Sequence, residues 1–399
     1  MSWQIINADC RDALKTLPEK SVQTCVTSPP YFGLRDYGHG DQIGLEPTPD
    51  EFVQALVEVF REVKRVLRDD GTVWLNLGDS YASDSKGSGG ASAKQDSNAG
   101  SRYNVRKFNH GVKQKDLVGI PWMVAFALRA DGWYLRQDII WAKKNPMPEP
   151  VQDRCTKAHE YLFLLSKSQR YFYDADAIKE SAQDSNTSRA MAALAHGTTA
   201  SDDIVPGATL GESPYFGQRQ NRGLPGVGTT FSSDDPSTRN KRSVWTVSTK
   251  PFSGAHFATF PPDLIEPCIL AGAPEKCCAA CGAPYARVVE REPMEIVPGP
   301  NADAMREQLG DMARTQTGGT MTKPPTSRTL GFEPTCKCNA ETTSATVLDP
   351  FAGSGTTGMV ALRHNRSFVG CELNPEYAEL ARDRIIQDAP LMNQVSEAA

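Results

Sequence analysis

The chain has 399 residues, of which 39% are hydrophobic and 23% charged, enough to bury a full core as one large domain with insertions or as two domains. No apolar run approaches ~18 residues, and the opening MSWQIINADC has no basic segment followed by a long apolar one, so neither a membrane span nor a signal peptide is read and a cytoplasmic protein is expected. A net charge of −5 confines any nucleic-acid contact to local basic patches, and ten cysteines in a reducing compartment point to metal binding or packing rather than disulfides.

In chain order, SVQTCVTS is a short β-prone run that ends on Ser28-Pro29-Pro30-Tyr31. Two prolines remove two backbone donors and stiffen the exit, leaving carbonyls and a hydroxyl free to face a cleft. A site that accepts hydrogen bonds from an amine needs such an exit; a plain proline turn is the alternative reading. TPDEFVQALVEVFREVKRVLRDDG carries helix signals: Thr48 and Glu51 at capping-box spacing, Pro49 at the first position, Gly71 after the end. Phe52, Leu56, Val59, Val63, Val66 and Leu67 form one apolar stripe. TVWLNLGDSY reads as a strand, LVGIPWMVAFALRADGW as a helix, YLRQDIIWAKK as a strand and EYLFLLSKSQRYFYDA as a strand entering a turn. Residues 82–112 and 180–243 are polar and without clear period.

Near the C-terminus, SATVLDPFAGSGTTGMVALRHNRSFVGCELNPEYAELARDRI reads as strand, glycine turn, helix, strand ending in an acid, and helix. Gly353, Gly355 and Gly358 have G-x-G-x-x-G spacing, and Glu372 lies at the next strand end. Glycines let backbone approach a cofactor closely, and the acid can accept both ribose hydroxyls. NAD and S-adenosylmethionine both carry that ribose. The Asp349-Pro350-Phe351 lead-in suits a cationic amino-acid moiety better than a pyrophosphate.

TSPPY followed late in the chain by DPFAGSGTT resembles the amino-group DNA methyltransferases of permuted, or beta-type, motif order. INADC, GTVWLNLGDSY, DIIWAKKNPMPE, HEYLFLLSK and GAHFATFPPDLIEPCI stand between and around them in that family's order. The resemblance implies an α/β fold with a seven-stranded, mostly parallel sheet binding S-adenosylmethionine, and methyl transfer to the exocyclic amine of a base flipped out of double-stranded DNA. Ser28, Pro29, Pro30 and Tyr31 are then catalytic. Pro350, Phe351, Gly353, Gly355 and Thr356 line the methionine end with Asp349, and Glu372 holds the ribose. His256, Phe257 and Phe260 close the site, and Asp9 contacts the adenine amine. Trp141, Lys143, Asn145 and Pro146 match a target-side loop. Serine as the first motif residue usually accompanies cytosine N4 in that family and an acid adenine N6, so cytosine is favoured and adenine kept. A cognate restriction endonuclease is an expected partner.

Cys278-x2-Cys281-Gly282 has the shape of a metal knuckle, which Cys336-x-Cys338 would complete as a four-thiolate structural zinc site, with Cys277 an alternative ligand. Cys10, Cys25, Cys155, Cys268 and Cys371 read as packing. Basic sets at Arg102, Arg106, Lys107, Lys113 and Lys115, and at Arg239, Lys241 and Arg242, are candidate phosphate contacts or ordinary solvated surface. The expected organisation is a catalytic half at 1–180, a polar target-recognition insertion at 181–243, a cofactor-binding half at 244–276 and 341–391, and a cysteine-containing insertion at 277–340. A nicotinamide dehydrogenase and a non-catalytic zinc nucleic-acid-binding protein are the competing classes; the first leaves TSPPY unexplained, the second leaves Ser28 and Asp349 without a use.

Overall fold

The computed structural model describes residues 2–34, 40, 42–82, 112–181, 238–249, 259–292, 295–297, 321–323 and 326–388. By internal contacts the chain separates into one unit of Met1–Ile178, Arg242–Val288 and Gly331–Ala399 and a second of Lys179–Lys241 and Val289–Leu330. The first unit holds both sequence halves in one sheet. Among the described residues no helix is long and apolar enough to cross a membrane.

That sheet is built from β1 (Trp3–Asn7), β2 (Val22–Thr27), β3 (Leu67–Leu77), β4 (Tyr134–Lys143), β5 (His159–Ser166), β6 (Val244–Val247), β7 (Thr346–Asp349) and β8 (Ser367–Glu372), in the order β1-β8-β7-β2-β3-β5-β4-β6. Only β5 runs antiparallel to its neighbours. To the seven strands expected, the described residues add the edge strand β6. Every residue of β2 is buried, as a central parallel strand covered on both faces requires.

Helices α1 (Cys10–Thr16), α2 (Pro49–Val66) and α3 (Ile120–Ala130) contribute to one buried cluster, and α4 (Pro262–Gly272), α5 (Thr356–Arg363) and α6 (Pro375–Asp388) to another. The Thr48 hydroxyl accepts from the Glu51 N–H at 3.3 Å, Pro49 opens α2, and all six stripe residues are fully buried. The helix ends earlier than Gly71 suggested. Leu67 caps it at Val66, and the chain passes straight into β3. Gly71 serves the strand instead: a Cβ there would stand 2.5 Å from Leu67 Cγ, and the β2–β3 register shifts between Val22 and Thr24.

Because β1, β8, β7 and β2 are parallel, their C-terminal ends open on one edge of the sheet, where an open α/β fold places its ligands. Thr27, Asp349 and Glu372 are the strand ends there. Gly358 brings α5 down onto the sheet beneath this edge. A Cβ on it would lie 2.6 Å from the Phe368 ring and 2.7 Å from Ile385 Cδ1. Gly358→Ala is therefore expected to cost about 1–3 kcal/mol by forcing these buried side chains apart, read as a lowered urea midpoint.

Candidate active site

The end of β7 fixes the geometry. Asp349 is 1% exposed, and its Oδ1 accepts from the Thr27 hydroxyl at 2.6 Å and from the Phe351 N–H at 3.0 Å, while Oδ2 accepts from the Thr357 hydroxyl at 2.6 Å. Burial pushes its carboxyl up to about 6 against these three donors. One carboxylate thus ties the exit of β2 to the glycine turn and to the first turn of α5. With both oxygens so engaged, Asp349 has a scaffolding job that its expected place beside a cationic amino group did not include.

At the end of β8, Glu372 accepts from the Gly353 N–H at 2.8 Å and from the Asn374 N–H at 2.9 Å. Burial raises its carboxyl above the usual value. Each oxygen keeps a lone pair for a further donor. From α6, Arg384 donates to Ser354 Oγ at 2.7 Å and Thr356 Oγ1 at 2.8 Å, fastening the turn from behind.

The glycines divide their work. Gly353 has φ +51°, and a Cβ there would meet nothing nearer than Phe351 O at 3.9 Å. Gly355 has φ +74°, but its Cβ position points at α6, 3.0 Å from Ala381 Cβ. The Cβ side of Gly355 therefore packs the turn against a helix, while its neighbours Ser354 and Thr356 border the pocket wall. That wall is formed jointly by Ser28–Tyr31 and Asp349–Ser354, with Thr356, Glu372, Phe260 and Asp9 around them. The Asp9 carboxylate also caps α1 through the Arg11 N–H at 2.8 Å and pairs with the Arg11 guanidinium. His256 and Phe257 lie outside the described residues.

Ser28 is half-buried beside the buried Pro29. Among the described residues nothing hydrogen-bonds its hydroxyl, in contrast to Thr27 one position earlier. Tyr31 is held at both ends. Its hydroxyl donates to Glu160 Oε2 at 2.6 Å, and its ring lies so close to Gly78 that a Cβ there would be 2.5 Å from Tyr31 Cε2. Glu160 in turn pairs with Lys143, whose ammonium stands 4.6 Å from the centre of the Trp141 ring. Lys143 is thus a partly buried member of a network and not a solvated loop lysine. Asn145 and Thr249 exchange two hydrogen bonds, at 3.2 and 3.0 Å.

Sequence reasoning missed Thr27 and Glu160. Thr27 is a hydroxyl in a wholly buried strand, and Glu160 an acid opening the apolar run of HEYLFLLS; both are signals of a buried polar partner.

Elsewhere, Cys278, Cys281, Cys336 and Cys338 come together, all four Sγ atoms within 4.8 Å of one another. Cys277 is excluded from the group and buried, its thiol pushed up to about 12 by desolvation. Cys10, Cys25, Cys268 and Cys371 are buried. Cys155 is exposed, contrary to the packing role expected, because it falls in the loop between β4 and β5. Of the basic sets, Lys113 pairs with Asp116, Lys115 with Asp153 and Arg239 with Glu180, at 3.2, 2.8 and 3.0 Å. Arg102, Arg106 and Lys107 lie outside the described residues.

The model of the DNA methylase family that comprises N6 and N4 methyltransferases matches residues 22–276 and 338–383. This chain belongs to that family. Across 382 residues it is 39% identical to the Type II methyltransferase M.XycI of Xanthomonas campestris pv. cyanopsidis and 37% identical to M.Cfr9I of Citrobacter freundii, covering 96% of this chain and 87% of each relative. Type II methyltransferase M.SmaI of Serratia marcescens is 36% identical over 389 residues, 97% of this chain and 91% of that protein. The chain is accordingly a DNA methyltransferase acting on a base amino group. The matched segments contain the β2 exit and the whole β7–α5 turn; residues 277–337 are not matched.

Asp349 generates a pH prediction. Its folded value of about 6 stands above the ordinary 3.8, so the native state holds a proton that the unfolded chain releases, and its stabilising contribution falls as pH rises between those values. Asp349→Asn, which cannot titrate, should gain on wild type by about 3 kcal/mol between about pH 3 and 7. Urea unfolding of both proteins across that range measures it, and a pH-independent difference would contradict the buried, raised carboxyl.

Proposed function

We propose that this protein transfers a methyl group from S-adenosylmethionine to the N4 amine of a cytosine flipped out of double-stranded DNA, as the modification half of a restriction pair. The observation that carries the reading is the shared pocket wall: the proline-stiffened exit of β2 and the glycine turn after β7 border one cavity.

The residues fit the cofactor. The open side of Gly353 gives backbone room for a close-lying ligand, and Glu372 keeps acceptor capacity for two ribose hydroxyls. When bound, S-adenosylmethionine supplies an electrophilic methyl group on sulfonium, so no covalent enzyme intermediate is required.

The rest of the chemistry falls to this chain. An exocyclic amine is a poor nucleophile because its lone pair is delocalised into the ring. The Ser28 hydroxyl, unengaged among the described residues, and the Pro29 carbonyl accept the two amine hydrogens and draw the nitrogen toward tetrahedral geometry. Proline rigidity keeps these acceptors in place without reorganisation. Tyr31, pinned by Glu160 and Gly78, presents a fixed ring to a base removed from the stack. The preference for cytosine rests on Ser28 as the first motif residue and on the family resemblance.

Methylation of plasmid DNA followed by base-resolved analysis of the product tests the assignment, with N4-methylcytosine expected; N6-methyladenine would reverse the choice of base. Ser28→Ala should slow single-turnover methylation by the equivalent of about 2–4 kcal/mol while leaving cofactor affinity within twofold. A wild-type rate in that variant would reduce Ser28-Pro29-Pro30-Tyr31 to a plain turn.

A further inference from the structure

The four clustered thiols lie at the other end of the sheet from the pocket. Cys278 belongs to a two-residue strand, Cys277–Cys278, paired antiparallel with Thr342–Thr343, and the chain turns tightly after it. The Gly282 N–H donates to Cys278 O at 2.8 Å, and the Cys278 N–H to Ala283 O at 2.9 Å.

The turn is bolted to the sheet. Gly282 has φ +68°, and a Cβ there would lie 3.1 Å from Arg68 Nη1 and 3.3 Å from Gln23 Nε2, so this position needs glycine. Arg68 donates to Cys281 O, and Gln23 donates to Gly282 O at 3.4 Å while its Oε1 accepts from the Thr346 N–H at 2.6 Å. Gln23 and Thr346 stand at the starts of β2 and β7, the strands whose far ends carry Ser28 and Asp349. About five residues of strand, roughly 16 Å, separate Gln23 from Ser28.

We propose that Cys278, Cys281, Cys336 and Cys338 bind one zinc ion as a closed tetrahedral thiolate site that ties the Cys278–Gly282 turn to the Cys336–Cys338 arm beside the starts of β2 and β7. A Zn–S distance of about 2.3 Å puts tetrahedral sulfurs about 3.8 Å apart, so the four Sγ atoms, already within 4.8 Å, need only a small contraction. Binding converts four thiols to thiolates and releases four protons, with no change of oxidation state. All four positions of the ion are filled by protein, so the site is structural and offers no place for water or substrate. Three of the four ligands, Cys278, Cys281 and Cys336, fall between the segments that the family model matches. The inference is independent of which base is methylated.

Metal analysis of the full chain purified without chelator should find about one zinc per chain, released by a mercurial thiol reagent. The double variant Cys281→Ser with Cys338→Ser should hold under about one tenth of that, whereas Cys155→Ser, which changes the exposed cysteine outside the cluster, should keep it. The folded double variant should bind S-adenosylmethionine within twofold of wild type, because the pocket is at the opposite edge. If the double variant does not fold, cobalt reconstitution of the wild-type protein decides: the absorption of tetrahedral tetrathiolate cobalt is expected. Protein without metal, iron in place of zinc, zinc retained by the double variant, cofactor affinity lost in a folded zinc-free variant, or an octahedral cobalt spectrum would each overturn the proposal.

Discussion

One buried carboxylate holds the two ends of the chemistry together. Asp349 receives hydrogen bonds from Thr27, Phe351 and Thr357, and these belong to the strand that delivers Ser28, to the glycine turn, and to the helix behind it. A carboxyl that is 1% exposed is costly unless each oxygen is satisfied, and here three donors meet two oxygens. The geometry between Ser28 and the turn is therefore set by a short, stiff connection and not by loop packing. Residues more than three hundred positions apart in sequence act as one wall.

A second network stiffens the same wall from the other side. Tyr31, Glu160 and Lys143 come from the β2 exit, β5 and β4, and their contacts place a phenol, a carboxylate and an ammonium in series over the Trp141 ring. The antiparallel insertion of β5 between β3 and β4 makes this possible, because it brings the start of β5 to the edge where the parallel strands end. Holding donors and acceptors before substrate arrives removes the reorganisation that solvent would otherwise impose.

Much of this was legible from residue order. The proline pair after an apolar run, the glycine turn before α5, the acid ending β8 and the capped apolar stripe of α2 are local signals, and local signals survive into structure because they act through φ, hydrogen-bond donors and one helix face. What escaped reading is non-local. Nothing near Gly355 in sequence says that its Cβ position meets Ala381, and nothing near Gly71 says that it folds over Leu67 inside a strand and not beyond a helix. Glu160 could be seen as an unusual acid, but only tertiary contact supplies Tyr31 and Lys143 as its partners. Spacing brought the four cysteines to attention, while the choice between Cys277 and Cys278 depended on which of two adjacent side chains turns inward.

The position of β7 between β8 and β2 has a consequence in time. During synthesis the ribosome delivers β2, β3, β5 and β4 long before β7 and β8, so a nascent chain carries β2 with one edge unpaired. β1 waits as well, since its ladder partner is β8, with Trp3 opposite Phe368. These are pairings of very high sequence separation, the kind that form late. The clamp on Asp349 cannot close until β7 and α5 emerge. A ribosome-bound fragment that already displays Ser28-Pro29-Pro30-Tyr31 but not yet β7 and β8 therefore lacks the other wall of its pocket.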